Sequence, residues 1–288
     1  MNFFLKIAKY LVFLLLVLFL LFGFCTVVQA QRSDRDEEYS KVDNSRIEVF
    51  YNYTAIDTVL SATQDYRCVL QIGDNSSLFR SYSSYHRDSM MIQLMDSVDH
   101  QRRYYLVSLS QFEKRISSNY FRRYLYKWAE KEFDSQEIVG QTLIRYQDPD
   151  AQFDWTITAD TMTLHGYLCT KATAHFRGRT WNVWFAEDIP YSLGPWKFNG
   201  LPGLVVHAED AEGIHLFEME GIRNSSNICH IPKGYLGDGP KPVKRKEALE
   251  FEKKICNNYA SYMASHPDFM HLQVEYPQRY FYAPLELE

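Results

Sequence analysis

The chain has 288 residues, 46% hydrophobic and 16% aromatic, enough to bury a sizeable core, which excludes a chain that stays disordered throughout. Its 31 Lys and Arg against 36 Asp and Glu give a formal charge of −5, which offers no basic footprint for nucleic acid. Twenty-one Tyr and nineteen Phe against thirteen Gly favour strands, because aromatic side chains suit a pleated, half-buried surface.

Residues 1–30 read as a signal peptide. Lys6 and Lys9 form a basic start, Tyr10 to Val28 is an uncharged apolar run, and Val28-Gln29-Ala30 supplies a cleavage site after Ala30. Left uncleaved, the run approaches the length of a membrane anchor, which is the one membrane association the sequence suggests. Phe24 before Cys25 argues against a lipoprotein signal. Cleavage removes two lysines and no acids, taking the formal charge from −5 to −7. Residues 31–46, with Arg-Ser-Asp-Arg-Asp-Glu-Glu, read as a disordered linker, and 47–288 as a single β-rich domain.

Export also bears on the cysteines. Cys68, Cys169, Cys229 and Cys256 remain in the mature chain, and an even count in an oxidising compartment favours disulfides. Cys229 with Cys256 brackets a Gly- and Pro-rich loop, which a bridge would stabilise by about 3 to 4 kcal/mol. Cys68 with Cys169 follows by elimination, the other reading being two buried free thiols. No Cys-x-x-Cys spacing supports a zinc site.

From Ile47 onward alternation dominates. Glu48 to Thr54 and Tyr66 to Ile72 read as strands, and Gly73 to Ser77 as the turn of a hairpin into Leu78-Phe79-Arg80. Residues 84–103 read as a loop or a short helix around Met90 to Met95. Ser110 to Phe133 reads as a helix, with Phe112, Ile116, Tyr120 and Tyr124 every fourth residue, Ser110 as cap, and Arg122-Arg123 on a solvated face. Strands resume at Gln141 to Tyr146, Phe153 to Thr158, Thr163 to Phe176, Arg179 to Ala186, Gly203 to Ala208 and His215 to Glu220. Short turns between them indicate an antiparallel meander, since parallel crossovers need about a dozen residues. Val243 to Met263 is the best helix, its stripe of Ala248, Phe251, Ile255, Tyr259 and Tyr262 suited to cover one face of the sheet. Pro267 stands where a helix stop would, and the helical part is placed at 243–264. The aromatic tail from Tyr276 to Tyr282 is read as a further edge strand.

The most punctuated stretch is Gly194-Pro195-Trp196-Lys197-Phe198-Asn199-Gly200-Leu201-Pro202-Gly203-Leu204, where prolines and glycines set the backbone path between two strands. With Val205 in place of a final Ile, Gly200 to Val205 resembles the signature of the GLPGLI family of exported bacterial proteins. His165-Gly166-Tyr167-Leu168-Cys169-Thr170-Lys171-Ala172, Gly178-Arg179-Thr180-Trp181, Trp184-Phe185 and Ile189-Pro190 are similar to that family's upstream pattern, in order and approximate spacing. The likeness runs from about Phe153 to Ile222. It implies export and a β-rich domain, and no catalytic residues, because the family has no established activity. A Gly-Tyr-x-Cys-x-Lys-Ala strand followed by a Trp-x-x-Trp strand is also similar to curved-sheet carriers of the lipoprotein-carrier type, a likeness of fold alone.

Few residues announce chemistry. No nucleophile elbow, phosphate loop or dinucleotide fingerprint is present, so no cofactor is implied. His207 and His215 flank a hairpin with Glu209 and Asp210 near, which makes them the candidate metal ligands. Trp181, Trp184, Trp196 and Phe198 are the candidate lining of an apolar pocket, their competing role being plain core. Gly194, Pro195, Trp196, Gly200, Leu201, Pro202, Gly203 and Leu204 are read as a structural signature that fixes a turn. The sequons at Asn52, Asn75 and Asn224 would suggest glycans in a eukaryotic secreted protein, and the resemblance to bacterial proteins implies that they are incidental.

The expectation is a mainly β, α+β fold: a curved antiparallel sheet or half-barrel with one or two packing helices, lipoprotein-carrier-like. Function is expected to be non-enzymatic binding of an apolar or small ligand, or of an envelope protein. The chain is placed in the periplasm, at the outer membrane or outside the cell. The alternatives are a periplasmic metal-handling protein using His207 and His215, and a hydrolase whose site assembles only in three dimensions.

Overall fold

Alternating side chains do build strands here, and the strands build one large sheet. The computed structural model describes residues 41–86, 88–89, 122–149, 151–225, 230–232, 240–267, 270–271 and 274–288. The chain divides into two compact units. Met1–Lys41 with Pro232–Gly239 lies almost wholly outside the described residues, and the expected signal peptide and most of the linker lie there with it. Val42–Ile231 with Pro240–Glu288 forms the second unit, which holds the sheet and its core.

In chain order the strands are β1 (Lys41–Asn44), β2 (Ile47–Asp57), β3 (Ala62–Ile72), β4 (Ser76–Ser81), β5 (Arg122–Lys127), β6 (Glu132–Val139), β7 (Thr142–Asp148), β8 (Thr156–Leu164), β9 (Tyr167–Phe176), β10 (Arg179–Ala186), β11 (Leu204–Asp210), β12 (His215–Asn224) and β13 (His230–Pro232). Two helices follow, α1 (Arg245–Asn257) and α2 (Tyr259–Ser265). β1 and β13 pair as a two-stranded sheet, and the other eleven strands form one sheet in the order β7-β6-β5-β4-β3-β2-β12-β11-β10-β9-β8. Every neighbouring pair in that sheet is antiparallel, as short connections require. No helix of the described residues is long and apolar enough to cross a membrane.

The sheet is curled. Asp148 ends the edge strand β7, and Arg177 sits in the β9–β10 turn near the opposite edge, yet they form two hydrogen bonds of 2.5 Å. Nine strand steps separate them, on the order of 40 Å in a flat sheet. The fold is therefore a mainly β half-barrel with few helices; alternation and short turns predicted its antiparallel strands, and the likeness to curved-sheet carriers its curvature. Inside it packs one core from Val49, Tyr51 and Tyr53 through Phe79 and Trp181 to Phe217.

Four local expectations change. The helix expected over Ser110 to Phe133 ends, in its described part, as β5 and the start of β6. A spacing of four keeps one face of a strand as well as one face of a helix, so the aromatic pattern was ambiguous. The single strand expected from Thr163 to Phe176 is split by a hairpin turn at His165 and Gly166, with φ of 52° and 85°, the left-handed pair that such turns require. The C-terminal helix breaks at Asn258, whose side-chain amide donates to the Lys254 carbonyl at 2.9 Å and competes with the helix ladder. The tail adds no edge strand; two side chains and one backbone bond hold it. Asp57 accepts from the Tyr282 amide at 2.8 Å, Arg179 donates to the Pro284 carbonyl at 2.7 Å, and the Leu287 amide donates to the Arg177 carbonyl at 3.0 Å. The helix expected near Met90 to Met95 lies outside the described residues.

Candidate functional site

The signature loop joins β10 to β11 and is tied into the sheet by backbone and side-chain hydrogen bonds. Leu193 and Asn199 bridge across it, the Val205 amide donates to the Leu193 carbonyl at 2.9 Å, and Tyr51 donates its hydroxyl to the Val205 carbonyl at 2.7 Å. Trp196 is held at φ 55°, a left-handed conformation that costs an L-residue about 1–2 kcal/mol. Its indole and the Phe198 ring meet nearly edge-to-face at 5.3 Å, and Trp181 lies 5.4 Å from Trp196 and 5.0 Å from Phe198. Trp181, Trp196 and Phe198 are fully buried in this cluster, whereas Trp184 is half-buried on the other face of the sheet, beside Lys171. The four residues expected to line a ligand pocket thus do not converge on one. We expect Trp181→Ala to cost about 3–5 kcal/mol in urea denaturation and Trp184→Ala less than half of that.

His207 and His215 do not converge either. In the β11–β12 hairpin His207 pairs with Glu218 and Ala208 with Phe217, so His207 falls on the face opposite the buried His215. His215 Nε2 is 3.0 Å from the Pro284 carbonyl, which only accepts, so that nitrogen carries the proton. Its Nδ1 then accepts from the Tyr53 hydroxyl at 3.0 Å. Burial, with the Arg179 guanidinium second, holds His215 down to about 3, so the ring is neutral with both nitrogens engaged. No group of metal-holding side chains occurs among the described residues.

Cys68, Cys169 and Cys256 are buried free thiols, and Cys229 lies outside the described residues. The expected Cys68–Cys169 bridge is not formed: both thiols are free, with β2, β12, β11 and β10 standing between β3 and β9 in the sheet. Burial, with Glu252 next, pushes the Cys256 thiol up to about 12, so it is no nucleophile at neutral pH.

The chemistry lies elsewhere on the inner face. Arg122 on β5 stands directly opposite Glu137 on β6, with Arg122 Nε 3.3 Å from Glu137 Oε2. Helix α1 brings Glu252 to the same guanidinium, which donates to it from Nη2. The residues Tyr53, Tyr66, Gln64, Cys256 and Tyr280 join these three around a cavity of about 70 Å³, room for a few waters or the end of one small ligand. Glu137 is 5% exposed, and its Oε1 has no hydrogen-bond partner. A second concavity of about 290 Å³ lies between β7 and α1, against Leu143, Val243, Ala248 and Phe251, and no buried polar atom of its described lining lacks a partner.

Two buried carboxyls and one guanidinium do not balance. Burial, then the neighbouring Glu252, push the Glu137 carboxyl up to about 8 against the pull of Arg122. Burial likewise raises Glu252. A perturbed acid in a cleft is a mark of a working site. The folded chain holds the Glu137 proton where the unfolded chain has released it. This group's stabilising contribution is therefore full below the ordinary glutamate value of about 4.3 and is lost as the pH rises through about 8. Glu137→Gln keeps the shape without the titration. Denaturation midpoints compared at about pH 5 and about pH 9 should fall less in this variant than in the wild type.

A second buried cluster ties down the tail. Lys197, fully buried in the signature loop, donates to Asp148 at 2.7 Å and Glu286 at 2.5 Å, and Arg177 and Arg245 reach Glu286 at 2.8 and 2.6 Å. Burial alone would raise Asp148, but hydrogen bonds and charge from Arg177 and Lys197 outweigh it and hold the carboxyl at about 2.

Sequence reasoning missed Arg122, Glu137, Glu252 and Lys197. One signal was present: Glu252 falls four residues after Ala248 and four before Cys256, a charge on the buried stripe of α1.

No family model matches the chain, and no curated protein does. Among solved structures it is similar to PNGF-II in two crystal forms. In space group P21 the identity is 12% and the TM-score 0.49, over 74% of this chain and 34% of that one. In space group C2 the values are 13% and 0.48, over 74% and 33%. The chain spans about a third of the length of those structures.

Proposed function

We propose that the chain is an exported, envelope-associated protein of the GLPGLI type and a non-enzymatic binding module for a small ligand seated between Arg122, Glu137 and Glu252. The observation that carries this reading is Glu137 Oε1, a buried carboxyl oxygen with no partner beside a cavity. Leaving such an atom unsatisfied costs about 1–3 kcal/mol, and of the eight buried side-chain polar atoms without a partner among the described residues it is the one whose residue lines this cavity. The lining supports a polar rather than a greasy ligand, because the tryptophans that would hold an apolar one are packed against each other. The basic start and apolar run before Ala30 support export to the periplasm, the outer membrane or the outside.

The test is native mass spectrometry of residues 31–288 purified from the organism's own envelope fraction, beside Ala55→Leu, which fills the cavity without touching a charge. A small mass bound to the wild type and absent from the variant is the expected result. A bare wild-type chain that also gains no thermal stability from a panel of small amines, amides and acids overturns the reading.

One observation favours a second reading, a hydrolase. With its pKa raised to about 8, Glu137 is protonated at neutral pH, as a general acid must be, and Glu252 is the adjacent carboxyl. Turnover of a hydrolysable substrate, lost in both Glu137→Gln and Glu252→Gln with the fold intact, would put this reading first.

A further inference from the structure

The charge balance of the cavity says more than its size, and the class of ligand it selects depends on that cavity being the ligand site proposed above. Arg122 is engaged by both carboxyls: its Nε lies 3.3 Å from Glu137 Oε2, and its Nη2 donates to Glu252 Oε1. Glu137 Oε1 is left without a partner, and Tyr53, Tyr66 and Tyr280 stand around the same space. We propose that the cavity holds a small organic monocation, a primary ammonium group, with Glu137 as its counter-ion and tyrosine rings as its walls. Among the described residues that line the cavity, two carboxylates against one guanidinium leave one negative charge uncompensated, and a single positive charge closes that balance. An anion would meet Glu252 and the unpartnered oxygen of Glu137 together. A neutral amide would satisfy the oxygen and leave the charge. The ring faces of tyrosine are electronegative and attract cations within about 6 Å.

Without the cation, a proton does its work. Burial and the nearby Glu252 keep Glu137 protonated up to about pH 8. The groups that set this balance are Arg122 on β5 and Glu252 on α1, with further charge from Lys197 in the signature loop and Glu286 in the tail, and the cavity is completed by Cys256 on α1, Tyr53 and Tyr66 on β2 and β3, and Tyr280 in the tail. Binding is then an exchange: the ammonium enters with its charge, the Glu137 carboxyl gives up its proton to solvent, and the carboxylate pairs with the ammonium. No bond to carbon forms or breaks.

The experiment is calorimetric titration of the full mature chain with methylammonium chloride in two buffers of different ionisation enthalpy, with acetamide and acetate as neutral and anionic probes. Methylammonium is expected to bind with release of about one proton per site near pH 6.5, and its Kd to fall about tenfold per pH unit until about pH 8 and then level off. Glu137→Gln, with its thermal midpoint showing that it folds, should lose the proton release and bind at least about tenfold more weakly. Methylammonium binding without proton release overturns Glu137 as the counter-ion, preference for acetamide or acetate overturns the cation assignment, and either leaves the cavity as a ligand site. If none of the three probes binds, the site reading falls with it.

Discussion

Lys197→Ala should lower the unfolding free energy by about 3 kcal/mol or more, read as a shift in urea midpoint without loss of cooperativity. Lys197 has no exposed surface, and its ammonium sits between Asp148 and Glu286, with the Tyr146 hydroxyl at 3.3 Å. Removing one partner of a buried pair leaves an uncompensated charge, which costs about 3–5 kcal/mol. Arg177 and Arg245 still reach the carboxylates and hold the loss toward the lower end. Lys197→Met combined with Glu286→Gln removes charge on both sides and should cost less than the sum of the single changes. A loss under about 1 kcal/mol for Lys197→Ala would mean that the arginines alone neutralise the cluster.

Gly203→Ala should be at least as damaging, by about 4 kcal/mol, or should prevent the folded protein from accumulating. A Cβ there would lie 2.2 Å from the Ala186 carbonyl oxygen, 2.6 Å from its carbon and 2.8 Å from the Glu187 Cα. All three are backbone atoms at the point where β10 leaves the sheet and β11 enters it, so no rotamer change relieves the clash. Gly221→Ala is the control, since a Cβ at that position meets nothing within 4 Å. Equal thermal midpoints for the two variants would refute a close backbone approach as the reason for glycine in the signature.

The signature was legible because its residues act through the covalent backbone: proline restricts φ, and glycine permits close approach, whatever surrounds them. The strands β7, β10, β11 and β12 were legible for a similar reason, since alternation is local and turn residues mark its ends, whereas the turn between β8 and β9 was read through as strand. Arg122 was not, because the tyrosines around it fit a period of four, which strand and helix share, and its buried partners lie on another strand and a distant helix. Glu137 sits on an inward row with Phe133, Ser135 and Val139, a pattern that becomes visible only once β6 is known to be a strand. The histidine pair failed on register: whether His207 and His215 share a face depends on the pairing of β11 with β12. Lys197 gave no warning, because its acids come from the end of β7 and from the C-terminal tail, and only the curl of the sheet brings them together.

The most direct test of the ligand site is a high-resolution crystal structure of the mature chain as purified, inspected around Glu137. The expected result is density that no protein atom explains, within hydrogen-bond reach of Oε1 and bounded by Arg122, Glu252 and the tyrosines. A cavity closed by protein side chains, with Oε1 bonded to one of them, would contradict a ligand site there.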